Sequence, residues 1–250
     1  MSKKNSLVIS DSKPGFLAKR TGPARGLEEI EQSDLTLPRL GLCQSTTPQR
    51  KPQNPKFIKG LKEGDFFNSL TNTIYGQAVQ VVPLFLYKSR IKFFPFEDGG
   101  GIDCQSFNAK TGGRHNPKSC EECPYSQWQE GKGLPPECDI LYNYPALLGP
   151  KRELVVVSLK STGIKIAKQW NSIIAMREYE GKPMDAFAGV YSLTSVGASA
   201  KGNDFFTLSV VNAGWVDEET YRIAEQAYHA LRGKKIEVDM SGESKHDEDL

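Results

Sequence analysis

The chain has 250 residues, an apolar fraction of 38% and a formal net charge of +2. This length supplies one large domain, or a medium domain with flexible ends, but hardly two full domains. A membrane-spanning helix needs about 18 or more consecutive apolar residues, and the sequence has no such run. Residues 1–10 also lack the apolar stretch of a secretory signal. The sequence therefore supports neither a membrane span nor export, and it favours a cytosolic protein.

The small net charge hides two oppositely charged ends. Residues 1–62 carry 12 Lys and Arg against 5 Asp and Glu, residues 63–238 carry 19 against 20, and residues 239–250 carry 1 against 5. Basic arms commonly contact nucleic acid, whereas acidic tails commonly recruit partners or compete with nucleic acid for a basic groove. Solvated disorder explains each end equally well when it is taken alone. The presence of both on one chain favours a functional role.

The composition divides the chain into three predicted parts. They are a basic, largely flexible arm over residues 1–60, a core over residues 61–238 and an acidic tail over residues 239–250. Within the arm, the alternating leucines of residues 35–42 predict one edge strand. Cys43 follows this strand directly and fits a small buried apolar residue.

The core begins with runs of β-branched and aromatic residues, which predict strands. The first three predicted strands, at residues 66–74, 77–87 and 90–96, should form a meander. Residues 97–150 are dominated by Gly, Pro, Asn and Cys, so this segment is too irregular for a core yet too long for an ordinary loop. The pattern then predicts strands at 153–160, 186–196, 205–212 and 235–238, and helices at 162–179 and 217–232, the second ended by Gly233.

These elements indicate a mainly β protein of the α+β class. We expect an OB-like five-stranded barrel with an inserted zinc-binding loop at about residues 97–150 and a C-terminal helix. The strand count exceeds that of an OB barrel by one, and other small β-barrels with one helix have the same pattern.

Four of the five cysteines have the spacing of a metal site, Cys104-x15-Cys120-x2-Cys123-x14-Cys138. A two-residue gap lets both thiolates of a knuckle point at one tetrahedral ion, and the distant pair completes the sphere. Four thiolates leave no position for water, so this pattern predicts one structural zinc ion that orders the surrounding segment. His115 is the alternative fourth ligand, and four free thiols in a loop are the other interpretation.

Few residues suit catalysis. Cys120-Glu-Glu-Cys123 matches part of the zinc deaminase signature, but the upstream His-x-Glu is missing. The sequence has no phosphate-binding loop, no His-Glu-x-x-His and no Gly-x-Ser-x-Gly motif, and it has three histidines in total. We therefore expect that the protein is not an enzyme.

One predicted strand combines cations with aromatic rings, as single-strand binding requires for phosphates and bases. Alternation without a bulge would place Lys88, Arg90, Lys92, Phe94 and Phe96 on one face. In the alternative interpretation the two phenylalanines belong to the barrel core and the cations protect an edge. Further candidates for the same surface are Tyr87, Lys160, Tyr191, Lys201 and Phe205, whereas Trp170 fits helix packing.

With these features the chain resembles the single-stranded DNA-binding, or helix-destabilising, proteins of tailed phages, in particular the T-even type. The resemblance covers roughly residues 60–250 and lies in the strand content, the zinc loop with its Cys-x-x-Cys knuckle, the basic arm and the acidic end. That family binds zinc through three cysteines and one histidine, whereas this chain offers four cysteines. The resemblance implies cooperative self-association through an arm with Lys3, Lys4, Lys19 and Arg20, and recruitment of replication or recombination proteins through a tail with Asp247, Glu248 and Asp249.

The sequence thus predicts a sequence-tolerant single-stranded DNA-binding protein of phage DNA replication or recombination, acting in the cytoplasm of a bacterial host without contact to a membrane. Two alternatives remain open at this point. One is a zinc-containing protein-interaction or transcription-regulating module, and the other is a nucleic-acid enzyme whose carboxylates cannot be grouped from the sequence.

Overall fold

The structure, a computed structural model, describes residues 26, 28–30, 34–95, 101–129, 131, 133–200 and 202–240. The chain divides into two units, Met1–Leu35 and Thr36–Leu250. The second unit contains every helix and strand of the described residues. Residues 36–60, which the sequence assigned to the arm, contribute two strands and several buried side chains to this unit.

The described elements are predominantly strands. Two α-helices are present, α1 (Gly163–Ala175) and α2 (Glu218–Leu231). The strands are β1 (Thr36–Leu37), β2 (Leu40–Leu42), β3 (Phe66–Asn68), β4 (Ile74–Gly76), β5 (Ala78–Pro83), β6 (Tyr87–Phe93), β7 (Ile102–Ser106), β8 (Asp139–Leu148), β9 (Glu153–Leu159), β10 (Glu178–Tyr179), β11 (Lys182–Pro183), β12 (Gly189–Ala200), β13 (Asn203–Trp215) and β14 (Glu237–Val238). The prediction of a mainly β protein of the α+β class is confirmed.

The principal sheet is antiparallel and has seven strands. Its order is β13-β12-β5-β8-β6-β7, with β9 paired to the other edge of β8. A separate three-stranded sheet has the order β2-β3-β4, and β1 pairs with β14 in parallel. In the described part of the chain these sheets are open, so the five-stranded closed barrel expected from the sequence is not formed.

Strand β8 lies at the centre of the principal sheet and was missed in the sequence. It falls inside the segment predicted to be irregular, yet it pairs with β5, β6 and β9. Residues 141–148 are all buried, so the strand shows no alternation of apolar and polar residues. Pro145 provides no N–H, and pairing along one edge of β8 passes from β5 to β6 at this residue.

The main core lies between this sheet and α1. Trp170 of α1 is fully buried, stacks on Tyr144 with 4.3 Å between ring centres, and meets Tyr191 edge-on at 5.8 Å. The prediction that Trp170 packs in the core is confirmed. Its Tyr144 partner donates a hydrogen bond to the side chain of Asn171 at 2.8 Å, which ties the helix to β8.

Helix α2 covers a second apolar cluster, formed with Phe85, Val156 and Phe187. The helix agrees closely with its prediction because both ends carry local signals. Asp217 caps the N-terminus by accepting a hydrogen bond from the Thr220 N–H at 2.6 Å. Gly233 follows the last turn with a φ of 80°.

Two edges of the sheet are covered by the segment that follows β1. The Val156 N–H on the outer edge of β9 donates to the Pro38 carbonyl at 2.9 Å. On β13, the Phe206 N–H donates to Gln44 Oε1 and the Gln44 amide donates to the Phe206 carbonyl, both at 2.8 Å. One glutamine side chain thus pairs with the edge strand as a backbone would, and Cys43 beside it is fully buried as predicted.

Candidate functional site

Four buried cysteines are brought into one region by the central strands and one long loop. Cys104 lies on β7 opposite Lys92 of β6, and Cys138 directly precedes β8, which pairs with the other edge of β6. The knuckle between them is held by one backbone and one side-chain hydrogen bond. The Cys120 N–H donates to the Lys110 carbonyl at 2.7 Å, and Ser126 Oγ donates to the Cys123 carbonyl at 2.8 Å.

Two of the four sulfurs, those of Cys104 and Cys120, approach the same point beside Gly113. A Cβ atom added to Gly113 would lie 3.3 Å from Cys104 Sγ and 3.4 Å from Cys120 Sγ, and the Arg114 N–H donates to Cys104 Sγ at 3.0 Å. Burial raises the pKa of Cys138 to about 11, and the thiols of Cys104, Cys120 and Cys123 act in the same direction. Among the residues that the structure describes, no group of three or more His, Cys, Asp or Glu side chains is arranged to hold a metal ion.

A buried ion pair between β6 and β7 lies beside the cysteines, and His115 and Tyr125 of the loop contact it. Lys92 Nζ donates to Asp103 Oδ2 at 2.7 Å, and both residues are buried. His115 Nε2 lies 2.9 Å from the same carboxylate oxygen. The Tyr125 ring sits 4.6 Å from the Lys92 ammonium and 4.7 Å from the His115 ring. Hydrogen bonds from Lys92 and then His115 lower the pKa of Asp103.

This network changes the interpretation of two predicted residues. Lys92, a candidate phosphate contact in the sequence, is engaged in the interior by Asp103 and lies 3.7 Å from Glu137. His115, the alternative zinc ligand, has its Nε2 atom beside a carboxylate rather than a thiol. No sequence pattern marks this pair, because Asp103 meets Lys92 only after β7 pairs with β6.

The predicted cationic-aromatic face of β6 does not form as a continuous row. Between Lys92 and Phe93 the register shifts because β7 carries one extra residue, Asp103, and Ile91, Lys92 and Phe93 are all buried instead of alternating. Lys88 is exposed, with its ammonium 4.6 Å from the Tyr142 ring, whereas Arg90 and Phe94 are half-buried. Phe96 lies outside the described residues.

The fold places the other predicted nucleic-acid-binding residues in separate parts of the structure. Tyr191 is fully buried beneath Trp170 and cannot stack on a base. Tyr87 is half-buried against the α2 cluster, and burial raises its pKa. Lys160 and Phe205, in contrast, line one cleft together. The other predicted residues lie outside the described part of the chain, namely Lys201, Lys3, Lys4, Lys19, Arg20, Asp247, Glu248 and Asp249.

That cleft, called the β13 cleft below, has a volume of about 200 Å³. It lies among β2, β3, the junction of β9 with α1, and the beginning of β13. Its aromatic lining includes the half-buried Phe205 and Phe206, together with the buried Phe66 and Phe67. Six hydroxyl side chains also line it: Thr47, Ser69, Ser158, Ser161, Thr162 and Thr207.

The electrostatics of the β13 cleft favour an anion. Its charged lining residues are Arg39 and Lys160, and no Asp or Glu lines it, although the buried Lys160 ammonium lies 3.9 Å from Asp139 Oδ2 outside the lining. The N-terminus of α1 opens into it at Thr162 and Gly163, without a side-chain cap and without an acidic residue in the first turn. Because a helix N-terminus carries partial positive charge, it adds to the field of the two cations.

A basic loop continues from the rim of the cleft. Residues 47–49 line the cleft, and the following residues 50–62 contain five cations and no carboxylate. Arg50 is paired with Glu63 at 2.7 Å, and four exposed lysines follow it along the loop. The sequence showed the positive charge of this segment but not its position. The strands that flank the loop, β2 and β3, place it beside the cleft only in the folded protein.

A family of phage proteins is similar to this chain. A family model described as Pam3 phage gp34-like protein matches residues 2–237. The chain therefore belongs to the Pam3 phage gp34-like protein family, and its predicted phage origin is confirmed. No curated protein and no solved structure matches it. The resemblance to T-even helix-destabilising proteins in particular stays a prediction.

None of the helices in the described part of the chain is long and apolar enough to cross a membrane.

Proposed function

We propose that this protein binds single-stranded DNA without strong sequence preference and without turnover, and that the β13 cleft is its central contact. The observation that carries this proposal is the combination of Arg39 and the α1 N-terminus with half-buried phenylalanines, in a lining free of carboxylates. Cations and helix N-termini attract phosphates, and aromatic rings stack on any base.

The size of the cleft suits part of a strand better than an enclosed substrate. Its volume of about 200 Å³ is below the roughly 300–1,000 Å³ of typical small-molecule pockets. The adjoining basic loop at residues 50–62 extends the positive surface beyond the cleft. A strand would therefore enter the cleft with one segment and follow the loop with its backbone.

In a phage, such a protein would coat exposed strands during replication or recombination in the host cytoplasm. By the resemblance to helix-destabilising proteins, the basic arm would support cooperative self-association. The acidic residues Asp247, Glu248 and Asp249 would recruit replication or recombination proteins.

Fluorescence anisotropy with labelled single-stranded and duplex oligonucleotides at two salt concentrations tests the proposal. We expect tighter binding to the single strand, with an affinity that falls steeply as salt rises because phosphate contacts release counterions. Equal or negligible binding to both forms would refute it. Shortening of the oligonucleotide in the presence of magnesium would instead establish a nucleic-acid enzyme.

We further propose that Cys104, Cys120, Cys123 and Cys138 hold one structural zinc ion. The proposal is supported by the four buried thiols, the shared approach of two sulfurs to Gly113 and the Arg114 N–H that donates to Cys104. Zinc would draw the four sulfurs to Zn–S distances of about 2.3 Å and complete a closed tetrahedral site. Its role would be to order the loop rather than to activate water.

Native mass spectrometry of the purified protein tests the metal directly. We expect one zinc ion per chain, lost in the Cys123→Ser variant. The matched control is Cys43→Ala, because Cys43 is also buried but lies in a separate apolar cluster with Ile58 and Phe67. Loss of zinc from both variants, or its absence from the unaltered protein, would contradict the assignment.

A further inference from the structure

A second aromatic surface lies at the opposite end of β13 from the cleft. Trp215 ends this strand with half of its surface exposed, and Tyr179 on β10 is 58% exposed. Their ring centres are 6.0 Å apart in an edge-to-face arrangement. We call these two residues the Trp215 platform. The β13 cleft does not include it, and exposed tryptophans are enriched at binding surfaces.

A buried arginine packs against one face of the Trp215 ring and fixes its orientation. The Arg177 guanidinium carbon lies 3.8 Å from the centre of the Trp215 ring, and the residue is only 7% exposed. The guanidinium also donates to Asn212 Oδ1 at 2.8 Å and to the Gly214 carbonyl. Gly189 makes room for it, since a Cβ there would lie 2.7 Å from Arg177 Nη1.

The charge around the platform is opposite to that of the β13 cleft. Glu178 and Glu180 flank Tyr179 in the chain and are exposed. Asp217 and Glu218 follow Trp215 by two and three residues and are exposed, but Asp217 accepts from the Thr220 N–H and Glu218 lies 3.6 Å from Arg222. One exposed cation, Lys182, lies across the β10–β11 hairpin from Tyr179. Phosphates would be repelled here, whereas a cationic side chain would find both carboxylates and an aromatic face.

We infer that the Trp215 platform is a docking site for a basic segment of a partner protein. An arginine or lysine of that segment would lie over the outer face of Trp215, with its charge balanced by Glu178 and Glu180, which flank Tyr179 in the chain. Arg177 already occupies the inner face, so the indole is fixed in orientation before the partner arrives. The inference is independent of DNA binding, because the cleft and the platform share no residue.

The probe for this inference is a fluorescein-labelled peptide, Gly-Arg-Gly-Arg-Gly-Arg-Gly, titrated with the full-length protein by anisotropy. A peptide with citrulline in place of arginine has nearly the same shape without the charge. We expect saturable binding of the arginine peptide, weak binding of the citrulline peptide, and a roughly 2- to 30-fold loss of affinity in Trp215→Ala from the missing cation–π contact.

Two further variants make the test specific. Trp128→Ala removes the other exposed tryptophan, which is 64% exposed and lies in the cysteine loop, and it should leave peptide binding unchanged. The double variant Glu178→Gln/Glu180→Gln keeps the platform intact and should weaken binding of the arginine peptide. Equal binding by Trp215→Ala and Trp128→Ala, or equal binding of both peptides, would overturn the inference.

The same variants separate this inference from the proposed function. Trp215→Ala should bind a single-stranded oligonucleotide as tightly as the unaltered protein does. If that variant loses oligonucleotide affinity instead, the platform is a nucleic-acid surface and the inference is wrong, whereas the proposal for single-strand binding stands.

Discussion

Phe205 is the residue on which the proposed DNA contact depends most directly. It is half-buried, lines the β13 cleft and was already a candidate from the alternation of its strand. Stacking of one base on an aromatic ring is worth about 1–3 kcal/mol. Phe205→Ala should therefore weaken binding of a single-stranded oligonucleotide about 5- to 150-fold, measured by anisotropy at fixed salt.

Phe107 supplies the matched control for this prediction. It is also half-buried but lies outside the β13 cleft, where Lys235 approaches its ring at 4.3 Å. Phe107→Ala should bind the oligonucleotide as the unaltered protein does. Equal affinities for the Phe205 and Phe107 variants would remove Phe205 from the interface.

Gly41 is required by close packing rather than by its backbone angles. A Cβ at this position of β2 would lie 2.5 Å from Cζ of Phe67, which is buried on the neighbouring strand. Overpacking of this kind costs about 1–3 kcal/mol. Gly41→Ala should lower the free energy of unfolding by that amount in a denaturant titration.

Gly197 tests whether this cost comes from packing. It also lies in a strand, β12, but nothing stands within 4 Å of its Cβ position. Gly197→Ala should leave the stability unchanged or raise it slightly, because alanine restricts the unfolded chain. A similar loss in both variants would argue against the proposed contact with Phe67.

At this scale, the sequence predicted burial better than it predicted surface contacts. The apolar pattern around Cys43 and Trp170 sufficed, because it marks the inward side of an element whichever distant residues, such as Phe67 or Tyr144, the fold brings against it. Lys92 could not be assigned correctly, because its carboxylate partner arrives from another strand and the register shift at Phe93 is a tertiary feature.

Among the elements, α2 has the best-defined end, and its cap makes stability depend on pH. The Thr220 N–H donates to Asp217, and this bond lowers the pKa of the Asp217 carboxyl. Since the folded state then favours the ionised form, the contribution is present above about pH 4, the usual range for Asp, and is lost as the pH falls further.

Thermal melts between pH 3 and pH 7 test this cap. Asp217→Ala should melt below the unaltered protein at pH 7, and the difference should shrink toward pH 3. Asp217→Asn keeps an oxygen acceptor for the Thr220 N–H, so it should preserve much of the cap. The contribution of this cap to the melting temperature should then no longer depend on pH. A difference between Asp217→Ala and the unaltered protein that stays constant over this range would contradict the account.

The sequence located both helices but not the central strand, for physical reasons. Each helix has an apolar stripe at helical spacing, and α2 has signals at both ends. Strand β8 is buried on both faces and contains Pro145, so neither alternation nor composition distinguishes it from the cysteine-rich loop before it. The predicted strand at residues 66–74 is a short hairpin of β3 and β4, because residues 69–73 form its turn.

For the whole molecule, we expect zinc to stabilise one region rather than the entire fold. The described residues of the cysteine loop between β7 and β8 add only cysteines to the buried apolar set, whereas β8, β9, β12 and β13 carry the main core. Removing zinc with a chelator should increase hydrogen exchange over residues 107–137, and amides of β8 and β9 should stay protected. Uniform loss of protection throughout the chain would show that the metal supports the global fold.

The charge distribution is also a property of the whole molecule, and the sequence revealed only part of it. The basic and acidic ends were visible by counting. The opposite charges at the two ends of β13 were not, because Arg39, Lys160 and the α1 N-terminus meet only in the folded protein. The same holds for the carboxylates near Trp215, which come from β10 and α2.

Photo-crosslinking of a single-stranded oligonucleotide containing 4-thiothymidine, followed by mass spectrometry of the linked peptides, tests the central claim most directly. We expect crosslinks to residues 205–207 and to residues 158–163, where β13 and the start of α1 line the cleft. Crosslinks concentrated at Tyr179 and Trp215, or at Trp128, with none in the β13 cleft would contradict it.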